Sequence, residues 1–435
     1  MRRQTGLWMV CVLAAPVLLW ANQDGALPRK TGGPFPAESV CSECHGGPFL
    51  LNRGPGSVSF TVQPYTPGQT QRITITVADP TTTQIRWGFQ MSARPVGRPE
   101  EQAGTFQAVA PNSQVICDND RPAPCGNLLQ FPTHTRAGTR RGTRGSVSFD
   151  VDWTAPTANI GDIIFAAAGN AANGDERETG GPLGGDNIYT RQLCVTPSGA
   201  FVSVSSASFE RCASSSAAVI AAGFGSDLAT GLAEATSLPL PIELRGTRVR
   251  VADSTGTTRD APLFFVSPGQ INYLIPADTA PGTAQVTVLS GAGSTVNGTL
   301  RIDRVAPSIY AANAQGNGVA AALFLRVAAD NTRTQDLIFI PDETRASIPV
   351  DLGGPSDQVF LLMFGTGIRG FSSPVTARVG DQNVSVLGAV AHPDFVGLDQ
   401  VNIGPLPRSL AGRGEVDIIL TVDGKRANTV KVNIR

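Results

Sequence analysis

Histidine is scarce in this chain, with three among 435 residues, and that scarcity limits its chemistry. His45, His134 and His392 are too few and too scattered for histidine-based acid–base catalysis, so a non-enzymatic protein is expected. No Gly-x-Ser-x-Gly elbow, zincin helix or phosphate loop supplies an alternative. Charged residues make up only 16% and sum to −1, which gives no electrostatic reason to expect nucleic acid or an anionic membrane as partner. The one local basic run, Arg136, Arg140, Arg141 and Arg144, reads as a solvated loop. Beyond the first twenty residues no stretch holds 18 uninterrupted apolar positions, so the mature chain is not expected to be integral to a membrane.

What is present points to a β protein for export. Hydrophobic residues reach 41%, enough for packed cores, while 48 glycines and 32 prolines fall in turn-like clusters between short alternating runs. Residues 1–21 read as a secretory signal peptide. Arg2 and Arg3 form its basic start, Leu7 to Trp20 its apolar stretch, and Ala21 its last residue before cleavage. Cys11 leaves with that leader. Six of the seven cysteines then remain, in a compartment where disulfides persist. Cys117 and Cys125 suit a small closed loop, Cys194 and Cys212 are a further couple, and the sequence alone does not fix the pairing.

Residues 22–56 form a Gly/Pro-rich segment carrying the one crowded set of reactive side chains, Cys41-Ser42-Glu43-Cys44-His45. Cys-x-x-Cys-His is the attachment pattern of haem c: two thiols take the porphyrin vinyl groups and the adjacent imidazole becomes an axial iron ligand. A helical turn or two over Ala37 to His45 would put both thiols on one face. Competing readings are a local Cys41–Cys44 disulfide, a redox dithiol, which lacks its usual βαβ surroundings, and zinc, which needs about four ligands. For a second axial ligand the choices are His134, Met91 or none, with a structural turn role weighed against His134. His392 is expected at the surface. Asn173 to Glu178 and Gly185 to Asn187 gather oxygen ligands in one loop, so Ca2+ is a second cofactor candidate, against the reading of a solvated loop.

From Ser57 the pattern has period two, through Val58, Phe60 and Val62, then Ile73, Ile75 and Val77. Further strands are expected at 84–91, 146–153, 162–168 and 188–196. Over about 28–195 the ordered motifs Tyr65-Thr66-Pro67-Gly68, Trp87-Gly88-Phe89-Gln90, Ala103-Gly104-Thr105-Phe106, Thr133-His134-Thr135, Trp153-Thr154-Ala155-Pro156 and Gly169 to Gly174 follow the cysteine motif. Together they resemble a bacterial Reeler domain of the kind found in exported choice-of-anchor proteins. The resemblance implies an immunoglobulin-like sandwich at a cell surface or outside the cell, and no activity.

An internal repeat follows. Ala218 to Gly225 parallels Gln358 to Gly365, and Ser267 to Pro276, with Gly269-Gln270-Ile271-Asn272, parallels Gly397 to Pro407, with Asp399-Gln400-Val401-Asn402. Gly365 to Gly370 matches a dinucleotide-loop pattern, but Phe371-Ser372-Ser373-Pro374 stands where a helix is required, so it reads as a sandwich loop. Residues 203–435 resemble the uncharacterised C-terminal region of many exported acidobacterial (Solibacter-type) proteins, which implies IPT/TIG-like β-sandwiches without established chemistry.

The expected fold is all-β, with three consecutive immunoglobulin-like sandwiches at 57–197, 203–304 and 305–435. The expected function is a secreted or cell-surface protein, a periplasmic one being compatible, that carries one haem c on Cys41 and Cys44 for electron transfer or sensing. His45 is its axial ligand and His134 the distal candidate. The alternative is an adhesion or matrix-binding protein with structural cysteines and no haem. The partner is an unidentified redox protein or a surface protein or glycan.

Overall fold

The computed structural model describes residues 23–35, 38–47, 49–175 and 185–435. The expected leader therefore lies outside the described residues, as do positions 36 and 37 of the expected helical turn and 176–184 of the oxygen-rich loop. Among the described residues the chain is all-β, interrupted by 3-10 turns at Cys41–Glu43, Ala137–Thr139 and Arg408–Leu410.

Nine strands build the first sandwich: β1 (Ser57–Ser59), β2 (Thr70–Asp79), β3 (Arg86–Pro95), β4 (Thr105–Ala108), β5 (Ser113–Cys117), β6 (Gln130–His134), β7 (Gly145–Thr154), β8 (Ile163–Ala172) and β9 (Asn187–Val195). One sheet runs β1-β2-β7-β4 and the other β5-β6-β3-β8-β9. Alternation sends Ile73, Ile75 and Val77 of β2 and Phe149, Val151 and Trp153 of β7 inward, against Trp87, Phe89 and Met91 of β3 and Phe165 of β8. Aromatic edges lock this core, with Tyr65 to Trp153 at 6.1 Å and Trp153 to Phe165 at 4.9 Å between ring centres. Strands β4, β5 and β6 are short and lie between the expected runs, where too few residues alternate to give a period.

Strand β3 departs from alternation. Every residue from Trp87 to Pro95 is buried, including Gln90, Ser92 and Arg94 on the outward face. The cause is the N-terminal segment, which lies across that face as a strap. A bridge between Thr31 and Val40 turns it back on itself, and Gly32 N–H donates to Ser39 O at 2.7 Å. The Gln90 carboxamide accepts from Lys30 N–H at 2.6 Å and donates to the Ala26 and Leu27 carbonyls at 3.1 and 2.9 Å. Arg94 Nη2 donates to Glu38 Oε1 at 2.7 Å, both side chains being 1% exposed. Residues 23–35 and 38–47 thus dock on the first sandwich.

Two further pairs of sheets fill residues 202–434, each pair around its own apolar cluster. The sequence repeat occupies matching places. Strand Ile220–Phe224 pairs antiparallel with Gln270–Leu274, as Gln358–Thr366 does with Asp399–Ile403. Gln270 Nε2 donates to Asn272 Oδ1 at 2.9 Å, and Gln400 Nε2 to Asn402 Oδ1 at 2.8 Å. The Gln-x-Asn pairs thus form the same bond in both units. Gly365 to Gly370 is a strand end and turn, with buried Asp399 accepting from Ile368 N–H at 2.7 Å.

Removing one member of a buried ion pair typically costs about 3–5 kcal/mol, whereas replacing both by apolar groups is often neutral. Glu38→Ala is therefore expected to abolish hydrogen-exchange protection of the Gly32 and Ser39 amides while leaving β2 and β7 protected. The double change Glu38→Leu with Arg94→Met should restore most of it. Parent-like exchange at Gly32 in Glu38→Ala would show that the strap is held by something else.

Candidate functional site

The site lies where the strap ends. After the Val40 bridge the backbone tightens into the Cys41–Glu43 turn, with Cys44 N–H and His45 N–H both donating to Cys41 O, at 3.1 and 2.8 Å. This shorter turn replaces the expected helix, because the polar strap contributes too few residues to continue one. It still gathers the three reactive side chains. Cys41 packs against Ala168 and Ile188 of β8 and β9 and is 8% exposed, while Cys44 is half-buried.

His45 is held by the residue that precedes β9. Its Nδ1 lies 2.7 Å from Asp186 Oδ2, a carboxylate 4% exposed. Asn173 N–H donates to Asp186 Oδ1 at 3.1 Å, and Asp186 N–H donates to Gly46 O at 2.9 Å. Gly47 makes this approach feasible, since a Cβ there would stand 2.1 Å from Asp186 O. Asp186 of the calcium candidate loop therefore directs one carboxylate oxygen to His45 and the other to Asn173.

Between strap and sheet is a cavity of about 720 Å³. Cys41, Cys44, His45 and His134 all line it, with Gly88 and Asn170 from the outward faces of β3 and β8. His134, at the end of β6, lies against Gly88, where a Cβ would come within 2.9 Å of the ring. Its Nδ1 sits 3.3 Å from Phe89 N and 3.4 Å from Phe89 O. The tautomer decides which of these two bonds forms. The expected motif residues and His134, 89 positions apart, thus meet at one cavity. Met91 does not join them: it points into the sandwich core and is removed as an axial ligand. His392 is remote and half-buried rather than fully exposed, between Phe364 and Phe395.

Sequence reasoning read Asp186 only as a calcium candidate, with no signal placing it beside His45. Arg136 and Arg141, read as a solvated loop, are exposed but border the cavity together with Arg86 of β3. Two buried polar atoms facing this region, Asn170 Oδ1 and Asn173 Nδ2, have no hydrogen-bond partner among the described residues, which marks a place able to meet another polar group.

The remaining cysteines pair as Cys117–Cys125 and Cys194–Cys212, whereas Cys41 and Cys44 carry free thiols. Burial pushes the Cys41 thiol up to about 12, so at neutral pH it is protonated and a poor nucleophile. In haem-free protein at pH 8, iodoacetamide should modify Cys44 at least tenfold faster than Cys41. Cys41 labelling should rise as pH climbs toward 12 or when the strap is released. Equal rates at pH 8 in folded protein would contradict a buried Cys41.

The model of the Reeler domain family matches residues 48–169. That match begins just past His45 and ends before Asp186, so both ends of the cavity's cysteine–histidine wall lie outside it. None of the curated proteins matches the chain. Among solved structures, the human F-spondin reeler domain is 22% identical, covering 34% of this chain and 96% of that one at a TM-score of 0.23. The Reelin-N domain of F-spondin is 23% identical, covering 36% and 95% at a TM-score of 0.21. A Bacteroides ovatus mixed-linkage glucan utilisation protein, SGBP-B, is 10% identical, covering 77% and 64% at a TM-score of 0.27.

Proposed function

We propose that this is an exported, non-enzymatic β-sandwich protein whose first sandwich and N-terminal strap hold one haem c for extracytoplasmic electron transfer or sensing. The carrying observation is the cavity of about 720 Å³ that Cys41, Cys44, His45 and His134 line together. Its size falls within the range of about 300–1,000 Å³ usual for cofactor sites.

The donor set fits the group. Two unpaired thiols three residues apart suit the two thioether links, and the following imidazole suits an axial position. His134 approaches from β6, across the floor formed by Gly88, and offers a second imidazole. Arg86, Arg136 and Arg141 place positive charge beside a ligand that carries two carboxylates. Bound there, haem c would supply a one-electron iron couple. The chain's own part is to fix the thiols, orient both imidazoles and limit water through the strap. Export is supported by the two disulfides and by the Reeler match. No helix among the described residues is long and apolar enough to cross a membrane.

Protein produced together with a haem c maturation system should give a pyridine haemochrome spectrum of doubly linked haem, one per chain. Cys41→Ala and Cys44→Ala together should abolish the colour and leave the far-ultraviolet circular dichroism unchanged. Colourless parent protein with a Cys41–Cys44 disulfide by mass spectrometry would reject haem and return the reading to a surface-binding module. Where haem is attached, His134→Ala should convert a low-spin spectrum to high-spin. An unchanged spectrum would exclude His134 as the distal ligand.

A further inference from the structure

The contact between His45 and Asp186 carries more than the placement of a ring. A histidine that binds iron through Nε2 must turn Nδ1–H elsewhere, and the acceptor it meets sets how much electron density the ring returns to the metal. A backbone carbonyl is a neutral acceptor. Here the acceptor is a carboxylate oxygen at 2.7 Å, on a side chain 4% exposed and so shielded from water. No lysine or arginine among the described residues forms an ion pair with it. The carboxylate is also fixed. Asn173 N–H holds its second oxygen at 3.1 Å, and its own backbone N–H is tied to Gly46 O at 2.9 Å, one residue beyond the imidazole. It therefore cannot turn away when the strap carries a ligand.

We infer that Asp186 is a positioning residue that fixes His45 with Nε2 toward the cavity and, through its buried carboxylate, holds the bound iron at a low reduction potential. This rests on the haem c reading of the site. The sign follows from charge: a fixed negative group beside the axial imidazole stabilises Fe(III) over Fe(II), so adding one electron becomes less favourable. The second-sphere hydrogen bond is a recognised lever on such potentials. Compared with a neutral acceptor in the same place, the carboxylate makes the bound iron give up its electron more readily. Asp186 lies outside the residues matched by the family model, so this lever belongs to the same added wall as the cysteines.

The test uses the full mature chain with haem attached. Anaerobic spectroelectrochemical titration compares the parent with Asp186→Asn, Asp186→Ser and Asp186→Glu, and haem per chain is measured for each. Asn keeps the side-chain length with one acceptor oxygen, Ser keeps a shorter hydroxyl, and both lose the charge. Both are expected to favour Fe(II) by about tenfold, an upward shift of about 59 mV for one electron. Asp186→Glu, which keeps the charge, should stay nearer the parent. Fully loaded Asn and Ser variants with parent potentials would overturn the inference. Failure of both to load haem would also overturn it, by reducing Asp186 to a clasp between strap and sheet. A parent chain that never acquires haem is a different outcome and rejects the proposed function itself.

Discussion

The buried Glu38–Arg94 ion pair decides where the reactive end of the chain goes. Taking both charges out of water costs several kcal/mol per ion, a penalty that only good geometry and further bonds offset. Arg94 has such support: Glu38 at 2.7 Å, Gln102 Oε1 at 3.0 Å and the Ala93 carbonyl at 3.2 Å. Its guanidinium also lies 5.7 Å from the Phe35 ring centre and 5.1 Å from that of Phe131. Burial lowers its pKa and the Glu38 charge opposes that shift. Without the strap this cation would face water from the outside of an ordinary sheet. With the strap docked, the outside of β3 becomes interior, and the Thr31–Val40 bridge sets the Cys41 turn in register over β8 and β9.

The outward face of β3 is thereby divided in two. Gln90, Ser92 and Arg94 fasten the strap, whereas Arg86 and Gly88 lie beyond the fastening and face the cavity. Small side chains keep that end open: Gly88 on β3 and Ala172 on β8, with Gly174 just past the strand. Polar anchoring beside a glycine floor makes a pocket from two surfaces that would otherwise touch. The pocket inherits its walls from both parents, thiols and His45 from the strap, His134 and Asn170 from the sheet. Neither element alone assembles the set.

Much of the fold was legible because alternation survives wherever one strand face meets a core. Ile73, Ile75 and Val77 read directly as β2, and the Gln-x-Asn repeat marked equivalent strands because the same side-chain bond recurs in each unit. Strands β4, β5 and β6 were not legible, being too short for a period to emerge. The cysteine motif was legible because its chemistry is local. His134 was a candidate, but its meeting with Cys41 depends on the order β6-β3-β8-β9, which no local pattern encodes. The pairing of Asp186, read only as a calcium candidate, with His45 and the place of the arginines were hidden for the same reason. The outward face of β3 shows a different limit: polarity at Gln90, Ser92 and Arg94 does not reveal whether the partner is water or another segment.

Most residues lining the cavity are polar or charged, which bears on how a ligand would be kept there. A cofactor held by contact alone needs extensive apolar burial, and a strap rich in glycine and proline provides little. Two covalent links change that requirement, because a tethered group stays at high effective concentration whatever its contact energy. The walls can then be selected for other properties: a buried carboxylate behind one imidazole, a glycine-supported imidazole opposite, and arginines at the border. Gln90, Ser92 and Arg94 dock the strap, and Asp186 belongs to both tasks, since it holds Gly46 of the strap as well as the imidazole that would meet the iron.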